Sequence, residues 1–147
     1  MHMNLLHDAK IVPVAIAAAA GQTLLTTDVV DTQGFESVAF VVHLGDVTDT
    51  AELTLTGFTN ETEDTVEPTE LADNVTFTAG ATDADNKLLV LDLHKPRERY
   101  AYATLARGTA NAAVNGIIAV LYNAHQKPVA QAAEVIASAH LNDPDPA

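Results

Sequence analysis

The stretch Thr50-Ala-Glu-Leu-Thr-Leu-Thr-Gly-Phe58 decides the fold class. Ala51, Leu53 and Leu55 fall on one side, and Glu52, Thr54 and Thr56 on the other. A period of two belongs to a strand with one face buried and one face wet. Before it, Phe35-Glu-Ser-Val-Ala-Phe-Val-Val-His-Leu44 is rich in β-branched and aromatic residues and is bounded by Gly34 and Gly45, so it too reads as a strand. After it, Thr59 to Asp73 carries six acids and Pro68 and reads as a loop with room for one short element. Val75-Thr-Phe-Thr78 is a short strand, closed by Ala79-Gly80 and the Asp83-Ala-Asp-Asn86 turn.

Further along, Lys87-Leu-Leu-Val-Leu-Asp-Leu93 is apolar on both faces, which predicts a central strand. Lys95-Pro-Arg-Glu98 makes a turn, and Arg99 to Ala106 alternates again. Arg107 to Ala113 is small and polar, a loop. Val114 to Tyr122 is another apolar strand, although its Ala and Leu content also admits a helix. No helical pattern of 10–15 residues separates these strands, which removes a parallel βαβ arrangement. The expected fold is all-β: an antiparallel β-sandwich or barrel. Its core faces are expected from Phe40, Val42, Leu53, Leu55, Leu89, Leu91, Ile118 and Val120.

Both ends differ from the middle. Val129, Ala132, Ala133, Ile136 and His140 recur at helical spacing behind Pro128, a suitable first-turn residue, so a short C-terminal helix is expected. Asn142 to Ala147 reads as a disordered tail. Near the N-terminus, Ile11 to Ala20 is a ten-residue apolar run, about half of a membrane-spanning helix. It has the length of a signal-peptide core, but the charge before it is weak, with Asp8 beside Lys10. Pro13 among β-branched neighbours suits an arm or edge strand, and that is the expectation. The 147 residues therefore divide into an N-terminal arm or edge strand (1–21), one β domain (22–128), and a C-terminal helix with its tail (129–147).

Seven Lys and Arg against twenty Asp and Glu give a net charge of −13. Nucleic acid is excluded as a partner, because phosphate neutralisation needs the opposite sign, and an anionic membrane surface is disfavoured for the same reason. The 48% apolar content excludes a wholly disordered chain, and the absence of Cys excludes disulfides and thiolate metal sites. Charge is unevenly spread. Between Lys10 and Lys87 there is no base, yet fourteen of the twenty acids lie there. Five of the seven bases then cluster as Lys87, Lys95, Arg97, Arg99 and Arg107.

Candidate chemistry is sparse. Ser37 lies inside a strand and Ser138 in the expected helix, and neither sits in a nucleophile elbow or beside a His in sequence. Asp46 and Asp49, and Asp83 with Asp85 and Asn86, offer oxygen atoms on turns of the kind Ca²⁺ accepts, without the Gly and distal Glu of an EF-hand loop. Turn Asp and Asn more often cap the backbone. The six His have no zinc spacing. With no Trp, and with Phe35, Phe40, Tyr100, Tyr102 and Tyr122 on strands, a sugar platform is not indicated. Asn60 and Asn74 head Asn-x-Thr sequons that matter only in a eukaryotic secretory setting. No catalytic, cofactor or metal residue is assigned, and an enzyme ranks last.

One resemblance adds to this reading. Gly34-Phe-Glu-Ser-Val38 opens a strand, followed by Asp92-Leu-His-Lys-Pro-Arg-Glu-Arg-Tyr100, Arg107-Gly-Thr-Ala-Asn111, and Gly116-Ile-Ile-Ala-Val-Leu-Tyr122 closing at Lys127-Pro-Val129. In that order they resemble small structural proteins from the head modules of tailed bacteriophages, of the decoration or cement type. The resemblance covers about two-thirds of the chain. It implies a jelly-roll-like protein that oligomerises, often as a trimer, on the outside of the virion head and reinforces the shell, with the major capsid protein as partner. It brings no catalytic residues. The alternatives are another virion component, such as a head–tail joining or tail protein, and a secreted bacterial binding module or adhesin if Ile11–Ala20 is cleaved. Lys95, Arg97 and Arg99 crowd one turn and strand start, with Arg107 one strand later at the opposite rim. These four are the candidate protein-interface residues, since an Arg fork bonds a carboxylate bidentately.

Overall fold

The computed structural model describes residues 4–141. Two antiparallel sheets face each other. In the first, β1 (Lys10–Ala15), β10 (Ala112–Ala124), β5 (Phe35–Val47) and β8 (Leu88–His94) lie in that order, with β2 (Ala18–Gly21) also on β10. In the second, β3 (Leu25–Thr26) and β4 (Val30–Asp31) pair one after the other along one edge of β9 (Tyr100–Gly108), whose other edge carries β6 (Glu52–Asn60) and then β7 (Thr69–Thr78). The pairings nest: β1 with β10, β3 and β4 with β9, β5 with β8, β6 with β7. This is the jelly-roll order of an all-β sandwich. A single helical turn, α1 (Leu5–Asp8), precedes β1, with the Asn4 side chain accepting from the Leu6 N–H.

The alternation in β6 does what its pattern demands. Leu53 and Leu55 are buried between the sheets, against Phe40, Val42 and Leu44 of β5 and Leu105 of β9. On β10 the inward residues are Ile117, Ala119 and Leu121, not Ile118 and Val120 as the sequence pattern suggested. Two bulges account for the inversion. Between Val47 and Leu44, β5 carries one residue more than β10, and between Val114 and Gly116, β10 carries one more than β5. Ala112 and Val114 point inward before the second bulge, and the odd-numbered residues do so after it. Gly45 sits in the first bulge, where a Cβ would lie 3.0 Å from Asn115 Oδ1 and 3.2 Å from Ala113 Cβ. A larger residue there would fit only if Asn115 and Ala113 gave way by a few tenths of an ångström, so the close approach of the two strands favours glycine.

Three further expectations are corrected. Lys87–Leu93 is not a central strand: β8 ends its sheet, and Leu88 and Val90 face solvent at 58% and 48% exposure. Its second apolar face belongs to an uncovered patch rather than to a second packed layer. The polar stretch from Thr59 to Asp73 is a shorter loop, because β6 runs to Asn60 and β7 begins at Thr69. Residues 129–141 form no helix. Ile136 is 95% exposed, so the helical spacing has no apolar surface to bury against, and an isolated helix of that length is marginal in water. The segment instead runs back along the N-terminal strand. Gln131 accepts from Ile11 N–H and donates to the carbonyls of Leu6 and Ala9, and Val129 N–H bonds His7 C=O. The tail expected at 142–147 lies outside the described residues.

The apolar run Ile11–Ala20 contributes both β1 and β2, and Val14 is a core residue at 1% exposure. Pro13, which has no N–H to give, lies on a strand at the end of its sheet, where Pro is tolerated.

Candidate functional site

The basic segment is built by the β8–β9 connection. β8 ends at His94, and Lys95 turns the chain with φ of +51° while its N–H bonds Glu36 C=O at 2.7 Å. Lys95 and Arg97 emerge beside Glu61, Glu70 and Glu98, around a cleft of about 610 Å³ at one end of the sandwich. Glu98 accepts from the Thr59 hydroxyl at 3.0 Å. Neither Lys95 nor Arg97 forms an ion pair among the described residues.

Arg99 is engaged at home. Its Nε and Nη2 donate to both oxygens of Asp31, at 2.8 and 2.7 Å, and its guanidinium lies 5.1 Å from the centre of the Tyr100 ring. The hydrogen bond from Arg99 holds the Asp31 carboxyl below the usual carboxylate range. The pair is nearly half exposed, so it contributes at most about 1 kcal/mol.

Arg107 faces the other way. It is 4% exposed, and its guanidinium donates to three backbone carbonyls: Thr23 and Ala19 at 2.9 Å and Ala112 at 2.7 Å. It thereby ties the β2–β3 connection to the start of β10. The four basic residues do not form one surface. Lys95 and Arg97 share a rim, Arg99 closes a local ion pair, and Arg107 is an interior clamp.

The register also joins residues that are remote in sequence. Tyr122 lies opposite Ser37, and Ser37 opposite His94, in one row across β10, β5 and β8. Ser37 Oγ is hydrogen-bonded to His94 Nδ1 at 2.8 Å, and the Tyr122 hydroxyl donates to Asp92. Burial, then the Asp92 carboxylate, pushes the Tyr122 hydroxyl above its ordinary pKa. A Ser beside a His is half of a nucleophilic triad, but Ser37 is 0% exposed, so no carbonyl reaches its oxygen. The row braces three strands.

The turn acids serve the backbone. Asp83 accepts from Gly80 N–H at 2.6 Å and Asp85 from Val47 N–H at 2.8 Å. Among the described residues, no group of three His, Cys, Asp or Glu is placed to hold a metal ion. The Asn60 amide donates to the carbonyls of Asp64 and Val66 and is buried, so this sequon closes its own loop.

The outer face of the first sheet carries exposed apolar residues with no partner element over them among the described residues. Pro13, Ile118, Val41 and Val90 lie directly opposite one another across β1, β10, β5 and β8, and therefore on one face. The row on one side is Ile11, Val120, Ala39 and Asp92, and on the other Gly116, His43 and Leu88. Ile118 is 40% exposed, and a groove of about 500 Å³ opens beside Gly116, where no side chain fills the row. Sequence reading missed this face, because it assigned Ile118 and Val120 to the core.

No family model matches the chain, and no curated protein matches it. Among solved structures it is similar to a protein described under "Bacillus endospore appendages form a novel family of disulfide-linked pili", at 11% identity and a TM-score of 0.48. The match covers 83% of this chain and 94% of that one.

Proposed function

We propose that this chain is a virion structural protein that docks as a homo-oligomer on the outer surface of a tailed-phage head and stabilises the shell, with the major capsid protein as its partner. The observation that carries the reading is how the side chains are used. The polar groups that sequence analysis singled out for chemistry are spent on the fold, whereas broad surfaces are left for contact. Arg107, Ser37, Asp83 and Asp85 all bond internal partners. Lys95 and Arg97 stay exposed on one rim of an otherwise acidic domain, where they can meet shell carboxylates. The ordered resemblance between Gly34 and Val129 supplies the virion setting, and a jelly-roll sandwich suits it. The proposed role is not enzymatic.

The test is co-sedimentation with purified heads that lack decoration. Saturable binding that raises the temperature at which heads release DNA is expected, together with weaker binding by Arg97→Ala. Truncating one partner of a desolvated ion pair costs about 2–5 kcal/mol, so the loss should be at least about thirtyfold. Heads that pellet without the protein at every concentration would overturn the proposal.

A further inference from the structure

We infer that the outer face of the first sheet is where two copies of this chain meet, apposed about a two-fold axis. Among the residues of its three rows, Asp92 is the one Asp, Glu, Lys or Arg, and His43 at the opposite margin is the other titratable side chain, on a chain with twenty Asp and Glu and seven Lys and Arg. The acids gather elsewhere: the six between Thr59 and Asp73 lie on β7 and the loop before it, in the other sheet.

That distribution selects the occupant. A two-fold contact brings each surface against itself, so a patch of one sign meets its own sign, and with a net charge of −13 most of this chain's charged surface is acidic. Like charges in apposition oppose association, whereas an uncharged apolar face meets its copy without that penalty. Asp92 is already hydrogen-bonded to Tyr122 at one margin of the face. The groove beside Gly116 offers each copy a recess for a side chain from the other.

Size sets the strength. Four strands about 4.8 Å apart and three rows about 6.8 Å apart give a footprint of roughly 400 Å² per copy. A standard stable interface takes roughly 800 Å² per partner, so this contact is a reversible dimer with a dissociation constant on the order of 10 µM or weaker. A two-fold dimer also departs from the trimer that the family resemblance implies.

The test is sedimentation equilibrium on the full chain, from about 1 to about 500 µM. It uses no phage heads, so its outcome is separate from that of head binding. The wild type should pass from the mass of one chain to the mass of two. Ile118→Lys and Val90→Lys should each weaken the dimer at least about thirtyfold, as expected for charging the centre of an interface. Both side chains are substantially exposed, so far-UV circular dichroism should show the fold intact. Thr76→Lys, on the exposed outer side of β7, should leave the dimer unchanged. A wild type that stays monomeric throughout, or assembles as a trimer, would overturn the inference. So would a dimer that survives both face variants, or one that Thr76→Lys weakens equally.

Discussion

Replacing Arg107 with Met tests whether this side chain holds the fold or serves a partner. The guanidinium makes three hydrogen bonds to backbone carbonyls, of Ala19, Thr23 and Ala112, at 2.7–2.9 Å. Hydrogen bonds from a charged donor are worth about 1.5–3 kcal/mol each, roughly 5–9 kcal/mol for the set. Removing the charge also removes its desolvation penalty, several kcal/mol at 4% exposure. The difference leaves a net loss of about 2–4 kcal/mol. In a chain of this length that lowers the melting temperature by roughly 5–15 °C. Met keeps much of the apolar volume, so the loss reports the bonds rather than a cavity. Urea and thermal unfolding should show the shift, and amide exchange should accelerate between Ala19 and Thr23. An unchanged melting temperature together with lost oligomerisation or head binding would refute this reasoning and restore Arg107 to an interface.

The β10 bulge predicts that neighbouring isoleucines behave differently: Ile117→Ala should cost about 2–5 kcal/mol, and Ile118→Ala well under half of that, measured by urea unfolding. Deleting residues 1–20 removes β1, β2 and the core side chain of Val14, so the truncated chain should lose the cooperative unfolding transition that the full chain shows. The Asp31–Arg99 pair depresses the Asp31 carboxyl, so its contribution is present above the unfolded Asp value near pH 4 and fades as pH falls through the lower folded value. Asp31→Asn should therefore be destabilised relative to the wild type by at most about 1 kcal/mol at pH 7, with the gap shrinking as pH falls below the unfolded Asp value; a gap undiminished in acid would contradict the assignment.

The strands announced themselves where each kept one face to water. β6 keeps its alternation over Glu52–Leu55, and the sheet buries the side its pattern indicates, whereas Thr56, expected on the wet side, is buried at 8% exposure. β10 is apolar on both faces and changes phase at a bulge, and a bulge is set by the partner strand, which the local pattern does not contain. β8 looked central because Leu88 and Val90 are apolar, and periodicity alone does not separate a covered face from an open one. The terminal helix failed for want of a surface: the spacing of Val129, Ala132 and Ile136 is helical, but no element offers Ile136 a place to pack. The candidate site was less legible than the fold. Arg97 reads as exposed and is. Arg107 reads the same way, because backbone carbonyls converging from residues 19, 23 and 112 leave no mark on the sequence. Ser37 and His94 lie 57 residues apart and meet only through the β5–β8 register.

The most direct test of the docking reading is an electron cryo-microscopy reconstruction of undecorated heads incubated with the purified protein. The account predicts added density on the outer surface, fitted by the two-sheet sandwich, with the Lys95–Arg97 turn against the shell. Shells that remain bare at saturating protein, or density that fits only with the Lys95–Arg97 turn facing away from the shell, would contradict it.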